Sequence, residues 1–156
     1  MITIQPLSSD NFDRAMALSV DSDQNTFVAS NLLSVAQSKV YEYLIPAVIC
    51  LKGDPIGFLL YGQDPESERV YIVRLMIDRQ FQRKGYGKIA TRLLIERLKD
   101  EFHTDEIFLS IVPANHLAAR MYQALGFIPT AERDEDGEII FRLDTSEAEQ
   151  GAAANP

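Results

Sequence analysis

Seven residues between a predicted strand and a predicted helix have the composition of a phosphate-binding turn. They are Gln82-Arg83-Lys84-Gly85-Tyr86-Gly87-Lys88, and no acidic residue lies between Asp78 and Glu96. The first amides of a helix have no acceptor inside that helix, and the helix dipole adds partial positive charge at the same end. Glycines permit a tight turn that brings backbone amides close to phosphate oxygens. We therefore predict an anion site here; the alternative, a plain strand-to-helix turn, leaves the three basic side chains unexplained.

Two other phosphate-binding motifs fit this segment less well. A Walker loop needs Gly-x-x-x-x-Gly-Lys followed by Ser or Thr, but Ile89 follows Gly87-Lys88 and Gln82 occupies the first glycine position. The run from Gly85 to Ala90 matches the loose Gly-x-Gly-x-x-Ala fingerprint of dinucleotide-binding folds, with Asp105 further on. Such a fold normally opens with the motif, whereas several extended segments precede it here. A nucleotide-binding domain is therefore the weaker alternative.

Hydrophobic periodicity predicts one α/β domain. Apolar residues alternate in strands and recur three or four apart in helices. The predicted strands are residues 2–7, 46–51, 56–61, 69–77, 106–112, 127–133 and 138–143, and the predicted helices are residues 11–19, 24–41, 86–102 and 115–125. The strand-helix-strand unit around residues 69–112 predicts a right-handed parallel crossover within a mixed sheet. We set the domain at residues 1–144 and expect residues 145–156, which lack periodicity, to form a disordered acidic, Ala-rich tail.

The composition argues against several classes of protein. The chain has 156 residues, a formal net charge of -8 and a single cysteine, Cys50. Nucleic-acid binding depends on Lys and Arg, so this acidic balance argues against it, and no apolar run reaches the ~18 residues of a membrane span. We interpret Cys50, which lies in an apolar run, as a core residue. The absence of disulfide pairs and of a secretory signal favours the cytoplasm, and the charge favours cationic partners or serves solubility alone.

A second segment completes a pair of motifs. Residues 74–78 read Arg-Leu-Met-Ile-Asp, and residues 115–127 read Asn-His-Leu-Ala-Ala-Arg-Met-Tyr-Gln-Ala-Leu-Gly-Phe. Together with the spacing of Gln82, Gly85 and Gly87, these segments resemble the motifs of the GCN5-related N-acetyltransferases. The resemblance covers most of the chain and implies an α/β fold, a single domain whose mixed, mostly antiparallel central sheet has helices on both faces. It also implies an acyltransferase that uses acetyl-CoA as cosubstrate and needs no metal.

The resemblance further implies which residues hold the coenzyme. It assigns the pyrophosphate to the backbone amides of residues 83–88, the acetyl and pantetheine groups to the strand backbone at residues 75–77, and the coenzyme arm to the start of the later helix. The implied cofactor-binding residues are Leu75, Met76, Ile77, Gln82, Arg83, Lys84, Gly85, Tyr86, Gly87, Lys88 and Asn115.

Tyr122 is the candidate catalytic residue. Asn115, Ala118 and Tyr122 are three and four residues apart and so share one helix face. Amine attack on a thioester expels a thiolate, which a positioned phenol can protonate; a core aromatic is the alternative, and the resemblance favours catalysis. The attacking ammonium, with a pKa of ~10.4, must first lose a proton. Residues 70–76 contain no carboxylate, so the base is left open between a water path to Glu42, a backbone carbonyl and an unidentified group.

The second predicted helix indicates the acceptor. Residues 23–36 resemble the corresponding helix of bacterial spermine/spermidine and diamine acetyltransferases. Acids here and in nearby loops could form a groove for a polycation; they are Asp21, Asp23, Glu42, Asp64 and Glu66. We expect spermidine or spermine as acceptor, with Asp23, Gln24 and Glu42 as substrate-binding residues. The sequence leaves other acceptors open, namely a protein N-terminus, an amino acid or an aminoglycoside. It also leaves open a noncatalytic acyl-CoA-binding module. An exposed sheet edge allows a homodimer.

Overall fold

A computed structural model describes residues 1–21 and 29–146 of the chain. The strands in this part are β1 Ile2–Pro6, β2 Leu44–Leu51, β3 Asp54–Gln63, β4 Val70–Ile77, β5 Glu106–Ile111, β6 Ile128–Arg133 and β7 Ile139–Asp144. The helices are α1 Phe12–Met16, α2 Asn31–Val40, α3 Tyr86–Phe102 and α4 His116–Ala124. A short 3-10 turn at Arg79–Phe81, which the sequence did not predict, separates β4 from α3.

The strands form one sheet in the order β1-β2-β3-β4-β5-β7-β6. Every neighbouring pair is antiparallel except β4 and β5, which are parallel and are connected through α3. The predicted α/β fold with a mixed, mostly antiparallel sheet is therefore confirmed, as is the parallel pairing across the crossover. No helix in the described part of the chain is both long and apolar enough to span a membrane.

Helices cover both faces of the sheet. On one face, Ala90, Leu94 and Leu98 of α3 are fully buried in the main core cluster with Val70 and Ile107. The other face has smaller clusters around α1 and α2, in which Phe58, Leu60 and Met76 are buried against partly buried helix and loop residues. Cys50 is buried beside Ala15 on this second face, which confirms its interpretation as a core residue.

The buried stripe of α3 differs from the predicted one. Helix spacing predicts an apolar stripe of Ile89, Ala90, Leu93, Leu94, Leu98 and Phe102, but Ile89 and Leu93 are exposed at 42% and 41%. The buried face instead includes Thr91, whose hydroxyl donates a hydrogen bond of 2.7 Å to the carbonyl of Gly87. A threonine can be buried because this bond to the preceding turn satisfies its polar atom, and the residue type alone did not indicate it.

A β-bulge in β4 opens the sheet on one side. Leu60 pairs with Arg74 and Tyr61 pairs with Ile72, so Val73 is an extra residue in β4. A bulge bends its strand and increases the local twist. Among the described residues, β4 pairs with β5 only at Val70 and Tyr71, and beyond them the two strands diverge. The remaining edge of β4 therefore faces a cleft instead of a neighbouring strand.

The same bulge keeps the core side of β4 apolar. Residues Val70 and Ile72 before the bulge, and Leu75 and Ile77 after it, all belong to or pack against the main core cluster. Side chains alternate between faces along a strand, so the extra residue is what moves the core-facing positions from even to odd numbers. Arg74 is thereby turned towards α2, where it donates hydrogen bonds to Ser34 and Gln37.

Two predicted boundaries shift. Helix α2 begins at Asn31 because the hydroxyl of Ser30 accepts a hydrogen bond of 3.1 Å from the amide of Leu33 and caps the helix; residues 24–28 of the predicted helix lie outside the described residues. At the other end, Thr145 is buried and its amide bonds to Asp105, so the packed domain extends past residue 144. The rest of the predicted tail, residues 147–156, also lies outside the described residues.

Gly62 provides a test of the packing between β2 and β3. A Cβ atom added there would lie 2.0 Å from the carbonyl oxygen of Tyr43, a backbone atom that cannot move aside easily. We expect Gly62→Ala to lower the free energy of unfolding by about 3 kcal/mol, at the upper end of typical overpacking costs. Gly53→Ala, where the added Cβ meets nothing but φ is +89°, should cost only about 1 kcal/mol. Urea unfolding of both variants measures the difference, and equal losses would contradict the predicted clash.

Candidate active site

Hydrogen bonds at Asp78 and Gln82 hold the loop between β4 and α3 in place. The buried carboxylate of Asp78 accepts hydrogen bonds from the amide of Gln80 at 3.0 Å and from the amide of Ser19 at 2.9 Å. The side-chain amide of Gln82 donates to the carbonyl of Ile77 at 2.9 Å. Gln82 therefore fastens the loop to the end of β4. Gln82, which the sequence predicts to bind the cofactor, thus positions the loop through this hydrogen bond.

Helix α3 begins with free amides that point out of the helix. The first bond within the helix runs from the amide of Ile89 to the carbonyl of Gly85 at 3.2 Å. By helix geometry, the amides of Gly85, Tyr86, Gly87 and Lys88 consequently have no acceptor inside α3. Gly85 and Arg83 both have left-handed backbone, with φ of 81° and 62°. Such a turn directs successive amides towards one point, which is the geometry of an anion-binding site.

The side chains around these amides are basic. Arg83 and Lys84 are exposed, and Lys88 is half-buried. The ammonium of Lys84 donates to the carbonyl of Gln80 at 3.2 Å and lies 5.5 Å from the ring centre of Phe81. The predicted segment thus combines free amides, a helix N-terminus and three full positive charges, which suits a pyrophosphate.

A cleft of about 540 Å³ opens where β4 and β5 diverge. It brings together the free edge of β4, the end of β5, one face of α4 and the turn between β6 and β7. Its lining residues are Ala29, Ile72, Val73, Arg74, Leu75, Leu109, Ser110, Ile111, Val112, Asn115, Ala118, Tyr122, Asp134, Asp136 and Glu138. Strand edges offer unpaired amides and carbonyls to an extended ligand, and the small side chain of Ala118 leaves room for a slender one.

The structure distributes the predicted strand residues over both sides of β4. Leu75 lines the cleft. Met76 is turned to the opposite face, where it packs with Phe58 and Leu60 and lies 3.8 Å from the side chain of Asn31. Ile77 is buried in the main core cluster. Any contact of Met76 or Ile77 with a coenzyme therefore has to involve their backbone atoms.

Tyr122 lines the cleft with a largely buried side chain. The side chain is 8% exposed and its ring packs edge-on against Phe127, with 5.6 Å between the ring centres. No residue in the described part of the chain forms a hydrogen bond with the hydroxyl. Burial raises the pKa of Tyr122 above its usual value of 10.0, so the phenol stays protonated at neutral pH. Asn115, two turns earlier, caps α4 by accepting a hydrogen bond of 3.3 Å from the amide of Ala118.

Sequence reasoning missed a group of acids in the same cleft. The turn of residues 134–138, which we name the acidic turn, contributes Asp134, Asp136 and Glu138 to the lining, and carboxylate oxygens of these three residues lie within 4.8 Å of one another. Asp134 also accepts hydrogen bonds from the amides of Asp136 and Glu138, at 3.0 and 2.8 Å. The acidic run itself was visible, but acidic residues are common in hairpin turns, and only the fold brings this turn to the cleft.

Glu138 and Arg74 influence each other electrostatically across the cleft. Burial raises the pKa of Glu138, the negative charges of Asp134 and Asp136 raise it further, and the positive charge of Arg74 opposes the rise. Burial lowers the pKa of Arg74. Arg74 is therefore the described cation whose charge acts on Glu138, and it donates hydrogen bonds to Ser34 and Gln37.

The predicted substrate-binding residues are not part of this cleft as described. Glu42 is exposed in the turn after α2 and does not line the cleft. Asp23 and Gln24 lie outside the described residues. Their role in binding the acceptor stays a prediction.

The model of the acetyltransferase (GNAT) family matches residues 14–127. The chain belongs to this family. It is 33% identical over 145 residues, which cover 89% of this chain and 95% of the relative, to the spermine/spermidine N(1)-acetyltransferase of Bacillus subtilis (strain 168). The probable spermine N(1)-acetyltransferase of Bacillus subtilis subsp. natto (strain BEST195) has the same identity over the same length.

Solved structures show the same fold. The aminoglycoside acetyltransferase AAC(6')-Ib in complex with coenzyme A superimposes with a TM-score of 0.81 at 17% identity, covering 97% of this chain and 99% of that one. The predicted family and the assignment as an acetyltransferase are confirmed. Enzymes of this family take the acetyl group from acetyl-CoA, and the free amides at the start of α3 together with the open edge of β4 fit such a cosubstrate.

The two glycines of the loop should differ in their tolerance of a side chain. Gly85 has φ of +81°, whereas a Cβ at Gly87 would meet only the side chains of Met121 and Ile77 at ordinary contact distances. We expect Gly85→Ala to weaken coenzyme A binding about tenfold, because forcing alanine into left-handed backbone costs roughly 1–2 kcal/mol. Gly87→Ala should change the affinity less than threefold. Calorimetric titration with coenzyme A tests both, and a larger effect at Gly87 would contradict this account.

Proposed function

We propose that this protein transfers an acetyl group from acetyl-CoA to a primary amine of a polyamine such as spermidine or spermine. The observation that carries the proposal is the composition of one cleft. It joins an open strand edge, three carboxylates and the hydroxyl of Tyr122, which has no hydrogen-bond partner in the described part of the chain. The names of the two Bacillus relatives, at 33% identity over nearly their full length, support a polyamine as acceptor.

The coenzyme would extend from the start of α3 into the cleft. Its pyrophosphate binds the amides of residues 83–88, where Arg83 and Lys84 supply positive charge. The pantetheine arm follows the open edge of β4 from Ile77 towards Leu75 and passes Ala118. In this arrangement the thioester sulfur reaches the hydroxyl of Tyr122, since that hydroxyl lines the same cleft as Leu75.

Tyr122 then serves as the proton donor. The neutral amine attacks the thioester carbonyl carbon, the carbon–sulfur bond breaks and the departing thiolate accepts the phenolic proton. Burial keeps the phenol neutral before this step, and the thiolate forms in the same low-dielectric surroundings, which raise its own affinity for a proton. The nitrogen loses its extra proton as the amide forms, and that proton restores the phenol.

The acceptor assignment rests on charge. The chain carries a net charge of -8, and the acidic turn provides concentrated negative charge within the cleft. Such a field attracts polycations and raises their local concentration. The expected binding roles of Asp23, Gln24 and Glu42, the cytoplasmic location and a homodimer remain predictions.

The acceptor is tested with a panel of amines and acetyl-CoA. We expect release of free thiol to be fastest with spermidine or spermine, slower with kanamycin and an N-terminal peptide, and at background with an amino acid. Mass spectrometry of the product should show a single added acetyl group on the polyamine. A preference for kanamycin would mean that the acceptor is an aminoglycoside and not a polyamine. No thiol release with any amine would favour a noncatalytic acyl-CoA-binding module.

The proton-donor role is tested with Tyr122→Phe. We expect kcat to fall by about 10²–10⁴, the usual contribution of general acid catalysis, while the affinity for coenzyme A changes little. Tyr61→Phe is the matched control, because Tyr61 is equally buried but bonds to Glu101 at 3.2 Å and does not line the cleft. Equal turnover of wild type and Tyr122→Phe would remove the phenol from the mechanism.

A further inference from the structure

The chemical steps described above give the acidic turn no part in proton transfer. Its three carboxylates lie within 4.8 Å of one another and line the same cleft as Tyr122. Like charges at this separation repel one another, and a cation placed among them removes the repulsion. Among the described residues, Arg74 is the cation that opposes this charge, but its guanidinium is committed to Ser34 and Gln37 on α2.

The Tyr122 hydroxyl independently indicates that the cleft binds a polar ligand. The whole side chain is only 8% exposed, and its hydroxyl, which is open to the cleft, has no hydrogen-bond partner among the described residues. A ligand that carries hydrogen-bonding groups along its length and a positive charge at the acidic turn would satisfy both features at once. A protonated primary amine beside a thioester is such a ligand.

We propose that the acidic turn holds the reacting ammonium group of the acceptor, and that Glu138 accepts the proton which this group loses before it attacks. This inference rests on the proposed function. The carboxylate of Glu138 takes a proton from the ammonium nitrogen and becomes a neutral carboxylic acid. The freed nitrogen lone pair forms the new bond to the thioester carbonyl carbon. After the product leaves, the proton on Glu138 passes to solvent, so that each transfer releases one proton.

Glu138 suits this step better than its two neighbours. Asp134 accepts hydrogen bonds from the amides of Asp136 and Glu138 through its Oδ1 atom. Asp136 is exposed. Burial and the two aspartates raise the pKa of Glu138, while Arg74 limits the rise. A raised pKa makes the carboxylate a stronger proton acceptor. This assignment also supplies a carboxylate as the base, which residues 70–76 do not contain.

The assignment is tested with Glu138→Gln against a matched control in the same turn. Glu135→Gln removes the same charge from an exposed residue that does not line the cleft. We expect kcat/KM for spermidine to fall about 10²-fold or more in Glu138→Gln and less than threefold in Glu135→Gln, with the KM for acetyl-CoA unchanged in both. Asp136→Asn should raise the KM for spermidine and leave kcat nearly constant, because it removes binding charge but not the base.

The pH profile distinguishes a base from a structural residue. In wild type, kcat/KM should fall as the pH drops through the raised pKa of Glu138, because the protonated carboxyl cannot accept a proton. In Glu138→Gln, the activity should instead keep rising with pH towards the acceptor's own pKa of ~10.4, where the free amine is already present. The ratio of wild-type to variant activity therefore shrinks at alkaline pH. A loss by one constant factor at every pH would overturn the base assignment.

The remaining outcomes separate this inference from the proposed function. If wild type acetylates no amine, the proposed function fails before Glu138 is tested. If wild type is active and Glu138→Gln behaves like Glu135→Gln, only the inference fails. An activity that requires Mg²⁺ or Ca²⁺ and disappears with a chelator would mean that the turn holds a divalent cation, and this result would also overturn the proposal.

Discussion

The separation of β4 from β5 is the constraint on which the rest of the molecule depends. Parallel strands joined through a helix would normally remain paired along their length, but the extra residue Val73 bends β4 away after Tyr71. The bend leaves a strand edge open and creates a cleft that reaches Tyr122 on α4. It also restores the apolar face of β4 beyond the bulge, at Leu75 and Ile77. One inserted residue thus maintains the core and opens the site.

Desolvation acts in the same direction on the two ionisable groups of the proposed reaction, although their roles differ. Burial raises the pKa of both Tyr122 and Glu138, because both would be anions in a poorly solvated cleft. For the phenol this preserves the proton that the thiolate requires. For the carboxylate it increases the affinity for the proton that the ammonium must lose. The positive charge of Arg74 opposes the rise in the pKa of Glu138.

The described elements were largely predictable because their signals are local. The periodicity of apolar residues gave every strand and α-helix in the described part of the chain to within three residues, except the start of α2, and it did not give the 3-10 turn at Arg79–Phe81. The predicted coenzyme-binding segment was visible because Gly85, Gly87 and three basic residues are close in sequence. Errors occurred where a neighbouring element decides the outcome. Burial of Thr91 depends on a hydrogen bond to Gly87, and exposure of Leu93 depends on how α3 lies on the sheet.

The sequence by itself determined the order of strands and helices, the glycine-rich and basic start of α3 and the family to which the motifs point, because each depends on residues a few positions apart. Only the tertiary structure decided which groups share the cleft. Arg74, Tyr122 and Glu138 come from three different elements and meet at the gap between β4 and β5. The bulge that opens this gap is defined by pairing with β3, and strand register is a relation between distant segments that no local pattern records.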